Sequence, residues 1–280
     1  MILSGKPVAQ AMELRSRVEK LGMTPTLCLV RLGENPSDLS YERGILRRGE
    51  EAGVEVRTCV LPETASAEEV IEKIKELNLD ETVHGVLLFR PLPAHLKPYR
   101  QEIYNALDPQ KDVDGMTDAS AAGLYLNRPG TFPPCTPCAC MEVLHYYGIP
   151  VEGKRVAVVG RSAVVGLPLS MLLLSENATV TVCHSRTKDL PSVTREAEIL
   201  ISAVGKAGLI DSRHIAPGAV VLDVGVNWSE EDGRFVGDVA DPAEASAYTP
   251  VPGGIGAVTN TILMSHVIQA AERLSENGSR

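Results

Sequence analysis

At 280 residues, with 44% hydrophobic and 22% charged side chains, the chain holds enough material for two ordinary globular domains. A formal charge of −9 excludes the basic face that a nucleic-acid surface needs. No apolar run approaches the ~18 residues of a membrane span, and the opening MILSGKPVAQAM lacks a cleavable apolar core, so a cytoplasmic location is expected.

In chain order, a helical pattern near 6–21 precedes the strand-like PTLCLVR at 25–31. A second helix is expected over 38–52, followed by the strand VEVRTCV at 54–60. ASAEEVIEKIKELN opens a helix over 66–78 with an N-cap serine followed by acids, and VHGVLLF at 83–89 is a third strand. Strands alternating with helices imply a parallel α/β sheet. Within SYERGILRRGEEAG, residues 40–53, Tyr41 and Ile45 are one turn apart and share a helix face, while the arginine charge points elsewhere.

A Pro-rich stretch, NRPGTFPPCTPC, leads into another helix and carries the cluster Cys135, Cys138 and Cys140. A structural zinc site needs a fourth ligand, and His145 is the nearest candidate on an apolar helix, so reduced thiols and no metal are expected. From Lys154 a second α/β run begins: RVAVVG, the helix GLPLSMLLLSEN, then the strands ATVTVCH, AEILISAV and AVVLDVGVN. That order makes a compact nucleotide-type sheet. The last helix, about 258–274, follows the glycine loop TPVPGGIGAV and is placed to return to the first domain.

The turn VVGRSAVVGLPL joins a strand to a helix with Gly160 and Gly166 flanking it. Glycines let backbone approach a phosphate, and a helix start offers free N–H groups. The spacing is not GxGxxG, so a tight structural turn fits it as well. After the next strand, CHSRTKDL offers His184, Ser185, Arg186 and Lys188 where an NAD-specific fold would place an acid. A 2′-phosphate suits that loop, with Arg161 closing over it; an ordinary solvated basic loop is the alternative.

Taken together, ENPSDLSY, RPLP, DPQKDVDGMT, PPCTP, VVGRSAVVGLPL, CHSRT, VGKAG, DVGVN, VGDV and TPVPGGIGAVT occur in the order found in methylenetetrahydrofolate dehydrogenase/cyclohydrolase, which the chain resembles nearly end to end. The resemblance implies a two-domain α/β fold: an N-terminal folate-binding domain over 1–140 and 258–280, a Rossmann-like NADP domain over 141–257, and the substrate cleft between them. It also implies a homodimer through the nucleotide domains, with tetrahydrofolate derivatives as substrates and NADP as cofactor. The family's first step passes hydride from 5,10-methylenetetrahydrofolate to the nicotinamide. Its second step adds water to the cationic 5,10-methenyl product.

By the same resemblance, Tyr41 matches the tyrosine that stacks along the folate, and Asp114 of KDVDG matches the carboxylate that binds the pterin N–H groups. A turn-forming aspartate before glycine is the plainer reading of Asp114. Pro252, Gly253 and Gly254 match a loop closing over the folate, although Ala257 replaces the family's proline. Gly160, Arg161, Ser162, Val165, Gly166, His184, Ser185, Arg186, Val204, Gly205 and Val226 match cofactor-binding positions, while Ala163 and Leu167 fall on variable polar ones. Two departures stand out. The family lysine four residues after the tyrosine is Ile45, and where the family reads VQLPLP this chain reads LFRPLP, so its glutamine is Phe89.

That lysine and glutamine handle protons in water addition. Arg43 lies off the tyrosine's face, Arg48 is two turns down, and Arg90 is expected to point away from Phe89's face on a strand. Arginine stays protonated in any case and is no general base. The expectation is an NADP-dependent methylenetetrahydrofolate dehydrogenase whose cyclohydrolase activity is absent or weak. The alternatives are a bifunctional enzyme with a rewired proton relay, a catalytically silent folate- or dinucleotide-binding protein, and an oxidoreductase with another substrate.

Overall fold

The computed structural model describes residues 1–230 and 233–278, with side chains described to 275. The chain opens with α1 (Gly5–Ala11) and α2 (Leu14–Leu21), followed by β1 (Thr26–Leu32), α3 (Pro36–Ala52), β2 (Glu55–Leu61), α4 (Ala67–Leu79) and β3 (Gly85–Leu88). A 3₁₀ turn (Ala94–Tyr99) leads to α5 (Arg100–Asn105), α6 (Asp118–Tyr125) and α7 (Cys135–Tyr146). Next come β4 (Arg155–Val159), α8 (Gly166–Ser175), β5 (Thr179–Cys183), α9 (Leu190–Thr194), β6 (Ile199–Ser202) and β7 (Val220–Asp223). A hairpin of β8 (Asn227–Ser229) and β9 (Arg234–Val236), the short β10 (Ala247–Tyr248) and the long α10 (Gly256–Gly278) complete the chain.

Where one helical pattern was expected over 6–21, there are two helices. Glu13 takes a left-handed φ of 46° and separates them. The expected domain limits shift for a related reason. One compact unit comprises Met1–Met12 with Pro134–Thr259, and the other comprises Glu13–Pro133 with the chain from Asn260 on. Residues 1–12 join the nucleotide-type sheet because Leu3 N–H donates to the Tyr248 carbonyl at 2.7 Å and Gly5 N–H to the Gly253 carbonyl at 2.8 Å. Residues 134–140 go with them as the start of α7, which packs on α8.

In the unit built from Glu13–Pro133, the sheet order is β2-β1-β3, all parallel. The apolar run TLCLVRL makes β1 the central strand, and every one of its residues is buried, as a strand covered on both faces requires. Asn35 caps α3 by accepting from Ser37 N–H at 2.9 Å, and Ser66 with Glu69 forms a capping box on α4. Cys28, Val30, Val70, Ile74 and Leu96 share one core. From Asn260 on, α10 belongs to this unit and buries Leu263, Val267 and Ile268.

The other unit holds a parallel five-stranded sheet in the order β10-β7-β6-β4-β5. The chain runs from β4 to β5 on one side and then crosses to β6 on the other, so a topological switch point lies beside the carboxyl end of β4. Ligands of open α/β sheets bind at such points. No helix among the described residues is long and apolar enough to cross a membrane.

Candidate active site

The loop after β4 is built around two glycines. Gly160 has φ +125°, and a Cβ there would sit 2.3 Å from the Ala203 carbonyl oxygen; one on Gly166 would sit 2.1 Å from the Gly160 carbonyl oxygen. Only glycine fits either place, so the turn brings the start of α8 close against the strand ends. Ser162 Oγ accepts from Val165 N–H at 3.1 Å, and the Ser162 carbonyl accepts from Leu167 N–H at 3.1 Å. Arg161 and Ser162 are exposed, and Val165 is half-buried. The cradle has the form of an anion site at a helix N-terminus.

The loop after β5 is pinned by its own groups. His184 N–H donates to Thr187 Oγ1 at 2.9 Å, and His184 Nδ1 accepts from Arg186 N–H at 3.1 Å. The His184 ring thus serves the loop's conformation, while Ser185, Arg186 and Lys188 are exposed.

Beyond β6, a residue not singled out from sequence organises the surroundings of Val204, Gly205 and Val226. Asp238 is fully buried. Its Oδ2 accepts from Ser202 Oγ at 3.1 Å, Val204 N–H at 2.8 Å and Gly205 N–H at 3.3 Å. Its Oδ1 accepts from Lys206 N–H at 2.9 Å and Asn227 Nδ2 at 3.1 Å. Asp223 adds the partner turn, accepting from the N–H groups of Gly225, Asp238 and Val239 at 2.9, 3.0 and 2.9 Å. Burial still raises the Asp223 carboxyl above its ordinary value. The VGDV and DVGVN segments carried these aspartates; their burial was not legible there.

In the same unit, Gly253 has φ +102° and Pro252 is exposed, whereas Gly254 is buried with its Cβ position 2.5 Å from the Pro250 carbonyl oxygen. Cys135, Cys138 and Cys140 lie on α7, the first and last buried, and burial pushes the Cys140 thiol strongly up. Among the described residues no group of three or more His, Cys, Asp or Glu could hold a metal ion.

The other unit carries Tyr41, Ile45, Phe89 and Asp114. The buried stripe of α3 is Glu42, Ile45, Gly49 and Ala52. Glu42 is there because Arg31, buried inside β1, donates Nε to its Oε2 at 2.8 Å, while Thr58 Oγ1 donates to its Oε1 at 2.8 Å. This buried pair fixes the rotation of α3. Tyr41 is then left 40% exposed, and Ile45, at 0%, is core rather than an open pocket wall. The rings of Tyr41 and Phe89 meet edge to face, with centroids 5.8 Å apart at 72°.

KDVDG divides its labour. Lys111 Nζ donates to the Leu77 and Asp80 carbonyls at 2.9 and 2.7 Å, closing the end of α4. Asp112 accepts from Met116 N–H, Thr117 N–H and Ser120 Oγ at 2.8, 2.8 and 2.6 Å. His266, buried on α10, bonds the Val113 carbonyl through Nδ1 at 2.9 Å. Asp114 is the carboxylate of the turn that meets a cation: Arg90 Nη2 donates to its Oδ2. The premise that Arg90 sits on a strand is corrected. β3 ends at Leu88, so strand alternation no longer governs residue 90.

Residues 3–114 match the model of the tetrahydrofolate dehydrogenase/cyclohydrolase catalytic domain, and residues 134–275 match that family's NAD(P)-binding domain. The chain belongs to the tetrahydrofolate dehydrogenase/cyclohydrolase family. It is 46% identical over 282 residues to the Bifunctional protein FolD of Carboxydothermus hydrogenoformans, covering 98% of each chain. The corresponding protein of Clostridioides difficile is 45% identical, with 97% of this chain and 96% of the relative covered. Among solved structures, the bifunctional enzyme FolD of Campylobacter jejuni superposes with a TM-score of 0.93 at 35% identity, covering 98% of this chain and 99% of the other. The Trypanosoma brucei enzyme, solved with NADP and an inhibitor, gives 0.90 at 32% identity, covering 98% and 97%.

Proposed function

We propose that this family member oxidises 5,10-methylenetetrahydrofolate to the 5,10-methenyl cation with NADP, and adds water to that cation weakly or not at all. The observation that carries the reading is the burial of Ile45 and Phe89, two side chains without a proton to give or take, beside Tyr41.

The cofactor loops fit a 2′-phosphate. Exposed Arg161, Arg186 and Lys188 offer positive charge, and no carboxylate intervenes between Cys183 and Asp189. Bound NADP supplies the hydride acceptor. What the chain must do is hold its substrate: Tyr41 offers a ring face for the folate and Asp114 a carboxylate for the pterin N–H groups. Alignment is the main requirement of hydride transfer, and no protein base has to remove a proton. Water addition differs, because general acid–base assistance is worth ~10²–10⁴-fold. The arginines are poor substitutes: Arg43 is exposed, Arg48 pairs with Glu51 at 2.8 Å, and Arg90 pairs with Asp114.

A second reading, a fully bifunctional enzyme with its proton relay moved to other residues, is favoured by the names of relatives 45–46% identical to this chain. One assay separates the two. Methylenetetrahydrofolate and NADP are supplied, and NADPH and the methenyl product are followed independently. NADPH formation with a persistent methenyl signal supports the first reading, and rapid loss of that signal supports the second. Neither signal, despite ligand binding, would overturn both.

A further inference from the structure

Hydride transfer makes no use of Arg90, which stands where the family string VQLPLP has a leucine. Its Nη2 donates to Asp114 Oδ2, and the two side chains are only 21% and 19% exposed. The backbone around Asp114 is already fixed on both sides. His266 holds the Val113 carbonyl, and Asp112 holds the N–H groups of Met116 and Thr117. Asp114 therefore sits in a fixed turn with Oδ2 engaged by Arg90. Arg90 is itself anchored, because the preceding Phe89 N–H donates to the Val30 carbonyl at 3.0 Å.

We infer that Arg90 is a positioning residue for pterin recognition: by engaging Asp114 Oδ2 it sets the plane in which that carboxylate meets the ligand's amino and ring N–H groups. The inference rests on the reading of Asp114 as the pterin-binding carboxylate. A guanidinium–carboxylate bond is stronger than one from a neutral pterin N–H, so the ligand does not displace Arg90. A carboxylate has acceptor room for about four donors, so both can be held together. Arginine remains charged throughout and takes no proton from the substrate.

The test uses Arg90→Leu, Arg90→Lys, Asp114→Asn and the Arg90→Leu/Asp114→Asn double variant, with melting curves to establish folding. Affinities for tetrahydrofolate and for NADP are measured by calorimetry, and KM and kcat for methylenetetrahydrofolate by NADPH formation. Arg90→Leu is expected to weaken tetrahydrofolate binding roughly 10- to 150-fold, the span of a charge-assisted hydrogen bond. The kinetic loss falls on KM more than on kcat, and NADP affinity does not change. Arg90→Lys recovers most of the loss, and Arg90→Leu adds less than about twofold to Asp114→Asn, because both act through one carboxylate. Unchanged or tighter tetrahydrofolate binding in Arg90→Leu, or full additivity with Asp114→Asn, overturns the inference alone. Wild type that fails to bind tetrahydrofolate overturns it together with the proposed function.

Discussion

Tyr41 and Phe89 meet edge to face at 5.8 Å, and one helical turn on from Tyr41 the side chain of Ile45 is fully buried. The wall beside the tyrosine is thus packed hydrocarbon. Turning it into a proton relay requires both positions. Ile45→Lys alone buries an ammonium at a fully buried position and should lower the melting temperature clearly, since an unpaired buried charge is costly. Phe89→Gln alone supplies polarity without a base. Neither single variant should raise methenyl hydrolysis much, whereas the double variant should gain a measurable rate. Equal gains in the single variants would show that the two positions do not work as a pair.

Cofactor choice gives a second test. With Arg161 and Ser185 as phosphate contacts and Arg186 as a helper, kcat/KM should favour NADP over NAD, and Arg161→Ala should lose NADP efficiency selectively. A wild-type preference for NAD sinks this assignment.

Asp114→Asn replaces one acceptor by a donor facing pterin N–H groups. Folate binding should weaken by ~1–3 kcal/mol with NADP affinity little changed. Calorimetry showing normal folate affinity would leave Asp114 as a turn residue.

Asp238 predicts a loss of a different kind. Five donors converge on its buried carboxylate: Ser202, Val204, Gly205, Lys206 and Asn227. Asp238→Ala should cost roughly 3–5 kcal/mol in denaturant unfolding, the range for dismantling a buried network, and should weaken NADP binding through the 204–205 loop. A loss under about 1 kcal/mol would mean that other groups support that loop.

Stability should also depend on pH. Burial pushes the imidazoles of His266 and His84 below their ordinary value. Around His266 stand the Val113 carbonyl, Asp114, Asp112 and Arg273; around His84 stand Lys111, Arg57 and Asp80. A depressed folded-state pKa means the unfolded chain binds more protons. The stability is therefore present above the ordinary imidazole value of ~6.5 and is lost as pH falls through the folded-state values. Melting temperature should decline below pH ~6.5, and His266→Gln should make that decline shallower. An identical slope in the variant would assign the loss elsewhere.

Much of this architecture is legible in the residues themselves. PTLCLVR reads as a strand from its apolar run, and Gly160 and Gly166 mark the turn where backbone can come close. What hides is long-range pairing. Leu3 and Tyr248 are 245 positions apart, so no local pattern assigns residues 1–12 to the nucleotide-type sheet. Arg31 and Glu42 look like surface charges until β1 and α3 bury them against each other. Arg90 misleads differently: the rule of alternation is sound for a strand, but the strand stops two residues earlier.

The claim that the chain handles hydride but not water is tested most directly by omitting the first step. Authentic 5,10-methenyltetrahydrofolate is added to the wild-type protein, with and without NADP, and its absorbance decay is compared with buffer alone at the same pH. Decay little faster than the uncatalysed rate is expected, even at high protein concentration, in a preparation that forms NADPH from methylenetetrahydrofolate. Decay accelerated ~10²-fold or more, the scale of general acid–base assistance, would contradict it and place the proton on a residue other than those at 45 and 89.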